Sequence, residues 1–128
     1  MQEQVRRFNA AAEYYTAERC YINELSNISD DADVSIAQAR VQPGVATRLH
    51  RLHGITERYV ILAGTGNVEV GNLYAQYVGP GDVVLIPPGC PQRITNTGMS
   101  DLLFLAICSP RFQQAAYEDI DQDLVSQM

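Results

Sequence analysis

The sequence predicts an all-β domain, a sandwich or barrel of short strands, and three observations carry that prediction. From Arg19 onward, polar and apolar residues alternate with period two in short runs. Clusters of Gly, Pro, Asn and Asp break those runs roughly every eight to twelve residues. Two longer spacings, one opening at Gly44 and the other at Gly81, hold particular residue types at set intervals.

Taken in order, the first dozen residues are polar or weakly helical. Cys20 to Leu25 reads as a first strand, and the Asn27 to Asp33 cluster as a turn. Val34 to Val41 follows, with Ala37, Ala39 and Val41 on one face and Gln38 and Arg40 on the other. After the Pro43-Gly44 turn come Thr47 to Leu52 and then Glu57 to Ala63. Gly64, Gly66 and Gly71 mark corners around Val68 to Val70, and Tyr77-Val78 leads into the Gly79-Pro80-Gly81-Asp82 turn. Val83 to Ile86 stops at Pro87-Pro88-Gly89, and Gln92 to Asn96 and Leu102 to Cys108 close the β region. The last of these is apolar on both faces, which suits a sandwich interior or a face covered by a partner. The division expected is an N-terminal arm over 1–18, a barrel over 19–112, and a short helix and tail over 113–128.

A chain of 128 residues holds one domain with one core. A net charge of −6 argues against nucleic acid and against an anionic membrane surface, both of which need a basic face. Cys20, Cys90 and Cys108 are odd in number and share no zinc-type or disulfide spacing. Met1 to Ala12 carries Arg6 and Arg7 with no apolar stretch behind them, and no run approaches the roughly 20 apolar residues of a membrane helix. These features predict a soluble protein of a reducing compartment, the cytoplasm.

From Gly44 the chain reads Gly, five residues, His50, one residue, Leu52, four residues, Glu57, six residues, Gly64. From Gly81 it reads Gly, five residues, Pro87, Pro88, Gly89, two residues, Gln92, three residues, Asn96. These stretches resemble the first and second motifs of the cupin superfamily, which have His where Leu52 and Gln92 stand. The 16 residues between Gly64 and Gly81 suit the short inter-motif loop of small single-domain cupins. The resemblance covers about Val34 to Phe112. It implies a jelly-roll barrel (a double-stranded β-helix) with a site inside it near one mouth. Strand alternation agrees: His50 with Leu52, Glu57 with Tyr59 and Ile61, and Gln92 with Ile94 share inward faces, while Arg51, Arg58 and Arg93 point away.

The usual cupin site binds one metal through three His and one Glu. Carried over position by position, this chain keeps His50 and Glu57. Leu52 ligates nothing, and Gln92 offers a carboxamide oxygen. A divalent metal (Mn, Fe, Zn or Mg) on His50, Glu57 and Gln92 is one reading. A second is metal-free: His50 and Glu57, on neighbouring strands, form an acid–base pair assisted by Tyr59, as in the metal-free deoxysugar epimerases of the superfamily. A third is a binding module without catalysis, in which His50, Glu57 and Gln92 satisfy one another. His53 faces out at a strand end. Cys90 is a small half-buried residue with a weaker claim as a ligand, and Asn96 ties down backbone.

The resemblance leaves isomerase or epimerase, lyase and dioxygenase chemistry open, with a small molecule as ligand. It also implies a homodimer, for which Val60, Leu62, Leu103 and Leu105 supply outward apolar positions.

Overall fold

The computed structural model describes residues 1–122. Eleven strands follow in chain order. They are β1 (Tyr14–Tyr15), β2 (Tyr21–Ser26), β3 (Ser35–Val41), β4 (His50–Leu52), β5 (Thr56–Ala63) and β6 (Gly66–Val70). Then come β7 (Gln76–Val78), β8 (Val83–Ile86), β9 (Gln92–Asn96), β10 (Leu102–Ser109) and β11 (Tyr117–Asp119). They pair into a six-stranded sheet, β1-β2-β3-β10-β5-β8, and a five-stranded sheet, β11-β4-β9-β6-β7. This is the jelly roll that the resemblance to cupins implies, built from the short strands that alternation predicts.

The core between the sheets is built from alternate residues. On β5, Glu57, Tyr59 and Ile61 are buried, while Arg58 and Val60 are half-buried and Leu62 is exposed. On β9, Gln92, Ile94 and Asn96 are buried, and Arg93 turns out to pair with Glu69 at 2.8 and 2.9 Å. Ile61, Ile86, Ile94 and Leu102 are fully enclosed, each contributing about 1.5–3 kcal/mol of burial free energy. Asn96 holds the β9 end in place, donating to Val41 O at 2.8 Å and Ser100 O at 2.9 Å. Gly64 has a positive φ, and a Cβ there would sit 2.7 Å from Asp101 O, so this corner admits no other residue without a shift.

Two segments depart from the sequence reading. The expected helix after Phe112 is a single 3-10 turn at Gln114–Ala116, after which β11 pairs with β4. The physical reason is pairing: Arg51 and His53 hold Glu118 at 2.5 and 2.9 Å, and the β4 edge supplies the backbone partners. The rest of that expected segment, 123–128, lies outside the described residues. Within the arm, a 3-10 turn at Ala10–Ala12 is capped by Asn9, and β1 then joins the six-stranded sheet. Thr47 belongs to the core although β4 begins only at His50: its backbone N–H donates to Ile94 O at 2.9 Å.

The inward side of β10 (Leu102, Phe104, Cys108) is buried, and its outward Leu103, Leu105 and Ile107 are half-buried between β3 and β5. The outward apolar surface of this sheet is most exposed on β8, where Val83 is 55% and Leu85 69% exposed. No helix among the described residues is long and apolar enough to cross a membrane.

Candidate active site

His50 and Gln92 sit opposite each other on paired strands β4 and β9. Glu57 and Tyr59 project from β5 in the other sheet. His50 and Glu57 are therefore not on neighbouring strands, as the sequence suggested. They belong to opposed sheets, and both side chains are buried in the interior between them.

His50 is 3% exposed, and its position is fixed on three sides. Nδ1 lies 2.7 Å from Arg48 O, a pure acceptor, so Nδ1 carries the hydrogen and Nε2 keeps its lone pair in the neutral ring. The ring stacks on Tyr117 with centroids 5.1 Å apart, and Glu18 Oε2 stands 3.8 Å from Nε2. No hydrogen bond joins His50 to Glu57 among the described residues; the imidazole is anchored through Nδ1 to Arg48 O.

Glu57 is 8% exposed. Register pairs it with Cys108, whose thiol donates to Oε2 at 3.7 Å, while Oε1 has no partner. Burial pushes its carboxyl up to about 7, with His50 and the nearby Gln92 amide pulling the other way. The Tyr59 hydroxyl donates to Gln92 Oε1, and Gln92 Nε2 is left buried without a partner. The Tyr59 ring packs on Phe104 at 4.5 Å between centroids, and burial holds its hydroxyl well above the ordinary value.

Two cavities meet here. An inner one of about 50 Å³ reaches His50, Leu52, Glu57 and Tyr59. A larger one of about 300 Å³ opens at the mouth between Tyr14, Glu18, Glu57, Phe112 and Tyr117. Glu18 and Glu57 line both.

Of the site residues read from the sequence, His50, Glu57, Tyr59 and Gln92 are brought together, and Asn96 ties backbone as expected. His53 faces solvent with Nε2 2.9 Å from Glu118, and Cys90 is half-buried against Pro91 O. Sequence reasoning missed Glu18, Cys108 and Tyr117. The period of β10 places Cys108 on the face of Leu102 and Phe104, a usable signal. Glu18 lies in an irregular link and carries none.

A family model for the cupin domain matches residues 37–108. The chain belongs to the cupin family. An uncharacterised protein of Methanocaldococcus jannaschii is 34% identical over 110 residues, 84% of this chain and 85% of that one. Among solved structures, a double-stranded β-helix protein of Klebsiella pneumoniae superposes with TM-score 0.75 at 15% identity, covering 93% of this chain and 100% of the other. A nucleoside dehydratase of Streptomyces, solved with uridine, superposes with TM-score 0.76 at 12% identity, covering 99% and 98%. At such identities the structural likeness establishes the fold.

The family commonly holds a metal, so the donor set of this cupin can be tested for one. Among the described residues no three His, Cys, Asp or Glu side chains gather as a metal group. Of the expected set, the Gln92 oxygen is engaged by the Tyr59 hydroxyl, and Leu52 stands at a position where the motif has His. His50 Nε2, the Glu57 carboxylate and the second lone pair of the Gln92 oxygen are a weak set that does not fit a tightly held resident ion.

Proposed function

We propose that this cupin is a small-molecule enzyme working by proton transfer between two groups held on opposed sheets, His50 and Glu57. The observation that carries the reading is the Glu57 carboxyl. It is buried, has one unpartnered oxygen, titrates near 7, and lines both the mouth cavity and the interior. A carboxyl poised near neutral pH both takes and returns a proton efficiently.

His50 Nε2, with its lone pair directed by the Nδ1 bond to Arg48, is the second proton acceptor. With the two groups held apart rather than bonded to each other, one removes a carbon-bound proton. The other delivers a proton to a leaving hydroxyl, which departs as water, or to the opposite face of the same carbon. That chemistry covers the lyase and isomerase classes. Tyr59 acts through Gln92 as a positioning residue, with its hydroxyl directed at the amide. That a superposable structure is a nucleoside dehydratase supports the lyase branch by analogy of fold.

The test is solvent exchange. Protein stripped with chelator is incubated in deuterated water with a panel of nucleosides, sugar acids and hydroxyamines, followed by proton NMR. Expected is deuterium at a carbon-bound position of one class, abolished in Glu57→Gln and slowed at least about tenfold in His50→Ala. Binding without exchange would favour the ligand-binding module. Activity appearing only with added Mn(II), Fe(II) or Zn(II) would restore the metal reading, with His50 and Glu57 as its donors.

The same proposal includes a homodimer formed through the outward face of the six-stranded sheet. Val83, Leu85 and Leu62 are exposed there beside half-buried Val60, Leu103 and Leu105. An uncovered apolar face of this kind is costly in water.

A further inference from the structure

His50 and Glu57 are both buried, and the inner cavity they share stands behind a neck. At about 50 Å³ it holds a group of roughly two or three heavy atoms. The mouth cavity outside it is about 300 Å³ and is lined by Glu57 but not by His50. Glu18, Ile22, Glu57, Ala106 and Phe112 line both spaces and so form the neck. Ile22, Glu57 and Ala106 are fixed on β2, β5 and β10, and Glu18 leans on the His50 ring. Phe112 differs from these. It brings the largest carbon surface of the set, from a link between β10 and β11 that belongs to no strand.

The backbone of Phe112 is anchored at both of its polar groups. Its N–H donates to Ser35 Oγ at 2.8 Å, and its carbonyl accepts from Asn27 Nδ2 at 2.9 Å. The half-buried ring leans on a small satellite cluster of Leu52, Ile55 and Cys108, beside Tyr117. Leu52 stands where the cupin motif has His, so that departure supplies part of the ring's apolar seat. A ring on a fixed backbone moves by side-chain rotation alone, without breaking a ladder. A second, independent observation shows that the interior is shut in this state. Glu57 Oε1 and Gln92 Nε2 are a buried acceptor and a buried donor, each without a partner and sealed from solvent. Leaving such atoms bare is costly, and a group that both donates and accepts, such as a hydroxyl, is what they lack.

We propose that Phe112 is a specificity-determining residue whose ring gates the neck. It admits the slim, unbranched end of a substrate to His50 and Glu57, while the body of the molecule stays in the mouth cavity against Ile36, Ala37 and Tyr117. The inference deepens the proton-transfer reading and rests on it for the identity of the reacting pair. It names the substrate class by shape: a hydroxyl-bearing end of roughly two or three heavy atoms, joined to a larger body with apolar surface. Compounds branched at the reacting end meet the ring and are turned away, because a packed wall rejects added volume. Tyr117 lines the mouth cavity alone and stacks on His50, so it shapes the place of the body rather than the passage.

Cys20 reports on the passage without any substrate. It is buried and lines the inner cavity alone, whereas Cys90 lines neither space. The full chain is treated at mildly alkaline pH with methyl methanethiosulfonate and, separately, with its benzyl analogue. Labelling rates at each cysteine are read by peptide mass spectrometry. Burial raises the Cys20 thiol above its ordinary value, which slows both reagents alike and leaves their ratio to report size. Expected at Cys20 is a methyl rate at least about tenfold above the benzyl rate, after division by the same ratio at Cys90. In Phe112→Ala the two spaces merge and the preference should fall below about threefold. Phe112→Leu keeps an apolar seat, should move the ratio the same way to a smaller degree, and serves if the alanine variant folds poorly. A parent ratio near one, or an unchanged ratio in a folded variant, overturns the inference. So does a Cys20 that neither reagent labels in the parent or the variants. Because the readout needs no turnover, size discrimination without solvent exchange would uphold the gate while sinking the proton-transfer function. Exchange in a protein whose Cys20 labelling ignores the Phe112 ring would do the reverse.

Discussion

The Tyr59 hydroxyl donates to Gln92 Oε1 across the interior, from β5 in one sheet to β9 in the other. That bond orients the amide, with Gln92 Oε1 accepting from Tyr59 and Gln92 Nε2 left buried without a partner. Tyr59→Phe removes the hydroxyl and leaves a buried carboxamide oxygen bare. Its expected cost is about 1–3 kcal/mol in chemical denaturation. Adding Gln92→Met to it should cost less than the two single changes combined, because both remove the same bond. Simple additivity of the pair would show that the two side chains are not coupled.

Glu57 makes stability depend on pH in a defined direction. Its folded carboxyl titrates near 7 against 4.5 for an ordinary glutamate, held there mainly by burial and opposed by His50, with Glu18 and Cys108 also facing it. The folded state thus keeps a proton that the unfolded chain releases. The stabilisation is complete below about pH 4.5 and is lost as pH rises through about 7, a change on the order of 3 kcal/mol. Glu57→Gln should flatten this part of the pH profile and exceed the parent in stability above about pH 8. Parallel profiles for the two proteins would contradict the assignment.

The motif departures at Leu52 and Gln92 give a third expectation. Both side chains are buried on the strands that carry the motif, so imidazoles placed there would point inward. Leu52→His with Gln92→His should bind Zn(II) at least tenfold more tightly than the parent, about 1.4 kcal/mol, as read by competition with a chromogenic chelator. The metal should also raise the melting temperature of the double variant more than that of the parent. An unchanged affinity in a folded variant would show that the inward faces do not converge.

For the proposed dimer, Leu85 is the informative position, since it is 69% exposed on β8 and serves no part of the core. Light scattering at micromolar concentration should give about twice the chain mass, and Leu85→Asp should give the monomer mass with little loss of melting temperature. A parent protein that stays monomeric on concentrating would remove the interface.

The sequence by itself determined the short strands and the inward set His50, Glu57, Tyr59 and Gln92, and its resemblance to cupins implied the barrel. Strand alternation is a local property, with side chains on one strand taking opposite faces in turn whatever they pack against. The same locality settled that His53 faces solvent at its strand end and that Gly64 forms a corner. What Glu57 and His50 are to each other was decided only by the tertiary structure, because consecutive strands β4 and β5 enter different sheets. Glu18 reaches His50 because Arg48 N–H donates to Glu18 O at 3.2 Å, with Arg19 taking a positive φ just after it. Tyr117 stacks on His50 because β11 closes the edge of β4, where the sequence suggested a helix. No local pattern encodes either contact. Each depends on edges and links meeting after the chain has closed on itself, and those meetings give the site its acidic mouth.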